Sequence, residues 1–156
     1  MSYHVNPGPN ATILDTTTQT IADATQAQAI TLNTTVTGKG ISVVDNTKIT
    51  FRQKGDYYLT YSAIGHAATG SNKDLSIFLK YNGNPVANST TTIACASGNP
   101  QVNAASFVLP VAADGDYYEL WMAGETNQVQ ILATAAGGTP SIPACPSIVI
   151  SIFQCA

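Results

Sequence analysis

Residues Ile49–Ile64 read ITFRQKGDYYLTYSAI, and the alternation in this stretch decides the fold. Ile49 and Phe51, then Tyr57, Leu59, Tyr61 and Ala63, fall on one side of an extended chain. Thr50 and Arg52, then Tyr58, Thr60 and Ser62, fall on the other. A period of two is the spacing of a strand with one buried face, and Lys54-Gly55-Asp56 breaks it as a turn would. The stretch therefore reads as two strands paired through that turn.

The same signal continues on both sides. Ile30 and Leu32 alternate with polar neighbours, Gly38-Lys39-Gly40 turns, Ile41 and Val43 follow, and Asp45-Asn46 leads into the opening stretch. Downstream, Leu75, Ile77, Leu79 and Tyr81 alternate before Asn82-Gly83, a strong hairpin signal. Val86–Ile93 is a weaker, Thr-rich strand suited to an edge. Phe107, Leu109 and Val111 form the next strand, with Pro110 restricting its pairing. Tyr118, Leu120 and Met122, then Val129 and Ile131, then Ile148, Ile150 and Ile152 complete the set, the last two runs separated by a proline-rich loop over Gly137–Pro146. No helical period emerges after Ala29, and Ile13–Gln28 reads mostly as coil or edge strand, because the threonines near Ile21–Ala29 weaken a short helix there. About ten short strands separated by turn residues specify an all-β jelly-roll β-sandwich. Residues 1–28, with Pro7-Gly8-Pro9-Asn10, read as an extended N-terminal arm ordered in part on a partner, and residues 29–156 as the jelly-roll domain.

Gly115-Asp116-Tyr117-Tyr118 repeats the letters of Gly55-Asp56-Tyr57-Tyr58. The inward residues differ, however: Tyr57 and Leu59 in the first, Tyr118 and Leu120 in the second. A shift of one residue exchanges the two faces of a strand, so the echo is a different strand and not a second copy.

Composition narrows the function. Charged residues make up 10% of the 156-residue chain, against roughly a quarter in ordinary soluble domains. A surface poor in charge and rich in small polar groups suits packing against copies of itself or a larger assembly. A net charge of −3 with six basic residues excludes a nucleic-acid binder, which clusters Lys and Arg. No run approaches the roughly 18–20 apolar residues that cross a bilayer, so no membrane partner is expected. MSYHVNPGPN has neither a basic nor an apolar region, so no signal peptide is expected. Cys95, Cys145 and Cys155 fit no zinc spacing and read as reduced thiols, with a Cys145–Cys155 pair the alternative.

Catalytic chemistry is not visible. His4 and His66 are the only histidines, and no Gly-x-Ser-x-Gly elbow accompanies them. Asp114-Gly115-Asp116 lacks the third carboxylate that a calcium loop needs and reads as a turn. No cofactor is expected. Large apolar groups do fall on outward positions: Phe78, Tyr117 and Trp121, with Phe153 in the last strand. These are the candidates for a subunit interface, since a second apolar face asks to be covered. Glu119 with Trp121 is the competing candidate for a sugar platform.

An ordered series of motifs resembles a family of phage virion proteins. It comprises Thr16-Thr17-Thr18-Gln19-Thr20, Gly38-x-Gly40-Ile41-Ser42-Val43-Val44, Ile49-Thr50-Phe51 and Gly55-x-Tyr57. It continues with Asn82-Gly83-x-x-Val86-x-x-Ser89-x-Thr91, Gly115-Asp116-Tyr117 with Trp121, and Pro140-x-Ile142-Pro143-x-x-Pro146-Ser147-Ile148. The series is similar, more distantly, to the tumour-necrosis-factor and complement globular-head jelly rolls. The resemblance implies a homotrimer displayed on a viral particle as a capsid decoration (cement) protein or as a fibre knob. No collagen-like or heptad stalk precedes the first clear strand, which suits a head seated directly on the capsid. The expectation is a trimeric, non-enzymatic decoration protein made in the host cytoplasm and bound to the major capsid protein of the virion. Tyr3, His4, Val5, Pro7 and Pro9 are its capsid-anchor candidates. The alternative is a knob that binds a receptor or a host-surface glycan.

Overall fold

A computed structural model describes residues 7–156. Among them there is no helix. The strands in chain order are β1 (Asn10–Asp15), β2 (Gln19–Thr20), β3 (Gln28–Ala29), β4 (Thr34–Lys39), β5 (Ile41–Val44), β6 (Lys48–Phe51) and β7 (Gly55–Ala67). They continue with β8 (Lys73–Tyr81), β9 (Asn84–Pro85), β10 (Thr91–Cys95), β11 (Gln101–Val111), β12 (Tyr117–Gly124), β13 (Val129–Ile131) and β14 (Ile148–Gln154). All pairings are antiparallel.

Two sheets form the sandwich. The first runs β4-β1-β14-β7-β11, the second β5-β6-β12-β8-β10. The short strands extend these: β13 and β2 continue the first sheet beyond the end of β14, β3 lies beside β12, and β9 closes a hairpin on β8. The longest strand, the 13-residue β7, is the spine of its sheet. One of its edges pairs with β11 over Gly55–Gly65. The other pairs with β14 over Tyr57–Ala63 and then with β13 over Gly65–Ala67.

The inward set is as the alternation requires. Ile49, Phe51, Tyr57, Leu59, Tyr61 and Ala63 are all 2% exposed or less, and so are Leu75, Ile77, Leu79, Tyr118, Leu120 and Met122. Each such side chain contributes roughly 1.5–3 kcal/mol on burial, so the two alternating faces account for most of the drive to fold. The core keeps Tyr57 and Leu59 in one sheet and Tyr118 and Leu120 in the other, so the Gly-Asp-Tyr-Tyr echo is a coincidence of letters.

The Lys54-Gly55-Asp56 turn is not a hairpin. β6 belongs to the second sheet and β7 to the first, so the chain crosses the sandwich here. The physical reason lies in the backbone: β5 and β12 take the two edges of β6, and β11 and β14 take those of β7, so neither strand has an edge left for the other. Phe51 and Tyr57 instead meet in the core with ring centroids 4.5 Å apart. Gly55 has φ +147, and a Cβ there would lie 2.6 Å from the Ala156 carbonyl oxygen. The three-residue loop Asp45-Asn46-Thr47 and the two-residue loop Asn82-Gly83 close true hairpins, with positive φ at Asp45, Asn46, Asn82 and Gly83.

The N-terminal segment also differs from expectation. Residues 10–28 are not an arm. β1 lies between β14 and β4, with Ala11 and Ile13 buried, and Gln19 and Ile21 are buried as well. Only two apolar residues of β1 face inward, and Leu14 faces outward, so the alternation of Asn10–Asp15 is too weak to read. Asp15 is buried and satisfied: its carboxylate accepts from the Thr17 N–H at 2.8 Å and the Thr31 hydroxyl at 3.1 Å.

The three thiols are free, Cys95 buried and the other two exposed. Cys145 and Cys155 flank opposite ends of β14, whose residues rise about 3.3 Å each. A disulfide needs Cα atoms within about 7 Å, so the two do not join within one chain.

One polar cluster closes the sandwich where β10 and β11 meet. Asn103 is fully buried. Its Oδ1 accepts from the Tyr61 hydroxyl at 3.0 Å and the Thr91 hydroxyl at 2.9 Å, and its Nδ2 donates to the carbonyls of Thr91 and Leu75 at 3.2 and 3.4 Å. All four bonding positions of the amide are used. Asn103→Ala is expected to lower stability by about 2–4 kcal/mol at fixed protein concentration, read by urea denaturation, because several buried partners lose their bonds together.

Burial also raises the phenols of Tyr57, Tyr61, Tyr81 and Tyr118, the last to about 12. The folded state then holds these protons above the ordinary tyrosine range, while the unfolded chain releases them near pH 10. Their contribution to stability is complete below pH 10 and is lost as pH rises toward 12. An absorbance titration at the tyrosinate band is expected to show these four ionising later than in urea, with folding lost over the same interval. Coincident native and urea titrations would contradict it.

Candidate interaction face

With both edges of β7 paired, the chain has one side left to offer there, the outer face of the first sheet. Strand pairing arranges its outward residues in rows across β11, β7, β14 and β1. The lowest row is Pro110–Asp56, and above it come Val108–Tyr58–Phe153–Asn10, Ser106–Thr60–Ser151–Thr12 and Ala104–Ser62–Val149–Leu14. Val102 opposite Ile64 forms the top row. Above Asp56 none of these positions carries a charge. Val102, Val108 and Phe153 are 58%, 60% and 49% exposed. Phe153 packs on Tyr58 with ring centroids 5.3 Å apart, a tilted pair that presents an aromatic ledge.

Of the four interface candidates named from the sequence, only Phe153 lies on this face. Phe78, Tyr117 and Trp121 project from β8 and β12, on the outer face of the opposite sheet. One flat contact does not take in both sets. The second face is also covered from within. Lys80 places its ammonium 3.3 Å from the Trp121 ring centroid, and the indole N–H donates to Glu119 Oε2 at 2.7 Å. Lys48 sits 5.4 Å from the Tyr117 ring centroid. These contacts follow from register, since Glu119 pairs with Lys80 and Trp121 with Phe78. A ring already under an ammonium makes a poor sugar platform.

Alternation places Tyr58 on the outward side of its strand, but neither it nor Val102 and Val108 is among the interface candidates. The signal is present in β11, whose outward series Val102, Ala104, Ser106, Val108, Pro110 carries no charge and alternates with the inward Leu109 and Val111.

At the upper end of the uncharged face lies an open groove of about 390 Å³. Leu14, Thr16 and Thr18 form one wall, Ala133–Ala135 and Ala144–Pro146 the other. The loop that carries the second wall folds back on itself as a finger: Thr134 and Cys145 exchange backbone bonds at 2.9 Å, and Gly137 and Ile142 do so at 2.9–3.0 Å. Ile142, at 60% exposure, sits near its tip.

The anchor candidates lie at the other end. Pro9 accepts from the Gln154 N–H at 2.9 Å, and the Pro7 carbonyl accepts from Lys39 Nζ. Both prolines therefore sit beside the C-terminus, below the Tyr58–Phe153 ledge. Tyr3, His4 and Val5 lie outside the described residues.

The remaining polar candidates are engaged in structure. His66 Nε2 accepts from the Gly98 N–H at 3.4 Å, and its Nδ1 lies 2.9 Å from the Gln130 amide. The Tyr81 hydroxyl and the Asn82 amide hold the Asp116 carboxyl below the usual range, and Asp114 accepts from the Lys54 N–H at 2.8 Å. Among the described residues no three His, Cys, Asp or Glu side chains converge as metal ligands would.

No protein-family model matches the chain. No curated protein matches it in sequence. Among solved structures it is similar to the globular domain of zebrafish complement 1qA protein, with 15% identity and a TM-score of 0.56 over 95% of this chain and 98% of that one. At that identity the likeness speaks for the fold alone: the chain has the all-β jelly roll of the complement globular heads.

Proposed function

We propose that this chain is a non-enzymatic virion structural protein, a homotrimer seated on a phage head as a capsid decoration protein. The observation that carries the reading is the outer face of β11, β7, β14 and β1, uncharged from Tyr58 upward, with its exposed Phe153, Val108 and Val102. A broad face whose one charge, Asp56, stands at its lower rim is the composition of a surface that copies of a protein cover. The motif series that resembles phage virion proteins supports the trimer and the capsid location. Pro7 and Pro9 beside the C-terminus give the domain a base, which suits an anchor in Tyr3–Pro9 that reaches the major capsid protein. Three anchors on one trimer raise avidity well beyond a single contact.

The alternative, a knob that binds a receptor or host-surface glycan, relied on Trp121 as a platform. Lys80 over that ring and Glu119 on its N–H weigh against it.

Light scattering at micromolar concentration is expected to give a trimer mass. Phe153→Asp is expected to weaken assembly at least about 100-fold with the far-ultraviolet spectrum unchanged, because the apolar contact then holds an unpaired charge. A monomer mass for the unmodified chain would refute the trimer. Purified protein mixed with undecorated capsids is expected to bind, and removal of residues 1–6 to abolish binding. A deletion confined to those residues leaves β1 whole. Unchanged binding would refute the anchor, and no binding by the full chain would refute the capsid reading.

A further inference from the structure

We propose that the groove beside Leu14 receives the β11 edge of a neighbouring copy, with Val102 as the side chain that fills it. The inference rests on the trimer reading and names the two parts of each copy that meet.

Copies in a closed ring are related by rotation alone. In a ring whose axis runs along β7, a projection on one copy therefore meets the next copy at its own height. The strand registers place Val102 and the groove at one height. Val102 stands opposite Ile64. The Ile64 N–H donates to the Ser147 carbonyl at 3.0 Å, and its carbonyl accepts from the Leu132 N–H at 2.8 Å. Ser147 and Leu132 are the chain neighbours of Pro146 and Ala133, which wall the groove. Leu14 lies one row lower, in the row of Val149, Ser62 and Ala104.

Projection and recess sit at opposite sides of the sheet, Val102 on the β11 edge and the groove beyond β14. One copy does not bring them together, whereas a ring of copies does. Their chemistry agrees. Val102 is 58% exposed and carries no polar side-chain atom, and Leu14, Ala133 and Pro146 offer apolar walls. No charge stands on the rows between them, so no ion must be desolvated as the surfaces close. Val108 is as exposed as Val102 but lies at the Tyr58 level, near the other end of β7, and does not reach the groove.

Cys145 in the groove wall is an exposed free thiol and serves as a reporter. The test uses Val102→Cys and Val108→Cys, each in the full chain with Cys155→Ser, oxidised mildly with a diazene-type thiol oxidant. Products are read on non-reducing gels and by peptide mass spectrometry. A disulfide forms only where Cα atoms approach within about 7 Å. The expected result is a link between position 102 of one copy and Cys145 of the next, in a ladder that ends at the covalent trimer. Position 108 is expected to leave Cys145 unlinked. A trimer mass before oxidation with no 102–145 link would overturn the groove contact and leave the trimer standing. Equal linking from position 108 would overturn the height match. A monomer mass for the unmodified chain would overturn the trimer reading and this contact with it.

Discussion

The structure depends on the alternation along β7. Both edges of this strand are consumed by pairing, to β11 on one side and to β14 and β13 on the other. Its side chains therefore have two places to go. Tyr57, Leu59, Tyr61 and Ala63 enter the core, where Phe51 meets Tyr57 and the Tyr61 hydroxyl reaches Asn103. Tyr58, Thr60, Ser62 and Ile64 stand on the outer face and set the rows that neighbouring strands complete. One period-2 pattern thus specifies a core and an exposed surface together.

The two outer faces of the sandwich solve different problems. The face of β8 and β12 carries large aromatics and covers them with its own polar groups, Lys80 over Trp121 and Glu119 on the indole nitrogen. The face of β11, β7, β14 and β1 carries no charge that plays such a part. Among the described residues no charged group covers its exposed valines or the Tyr58–Phe153 ledge. That asymmetry separates a face finished by the chain itself from one suited to another surface.

The ends of the domain differ in the same way. At the base, Pro9, Gln154, Asp56 and Ala156 knit the two termini together through backbone bonds. At the top, a long uncharged loop folds into a finger and leaves a groove beside β1. A strand that enters at Asn10 in the middle of the sheet ties the base to the top, so the N-terminal segment is part of the sandwich from its tenth residue onward.

Legible in the chain alone are the fold class, the inward residues of β6, β7, β8, β12 and β14, the turn at Asp45-Asn46, the hairpin at Asn82-Gly83, and the false repeat at Gly115. Each of these is local: alternation, turn chemistry and register are written in neighbouring residues. Long-range pairing alone places β6 and β7 in different sheets, because β5 and β12 occupy the edges of β6 and β11 and β14 those of β7. It also decided that Asn10–Asp15 is an interior strand, since two inward apolar residues carry too little periodicity to be read without their partners. The division of Phe78, Tyr117 and Trp121 from Phe153 belongs to it as well. Alternation says that a side chain points outward, but which of two sheets it points out from depends on pairings between residues far apart in the chain. Tyr58, Val102 and Val108 became one face with Phe153 for the same reason.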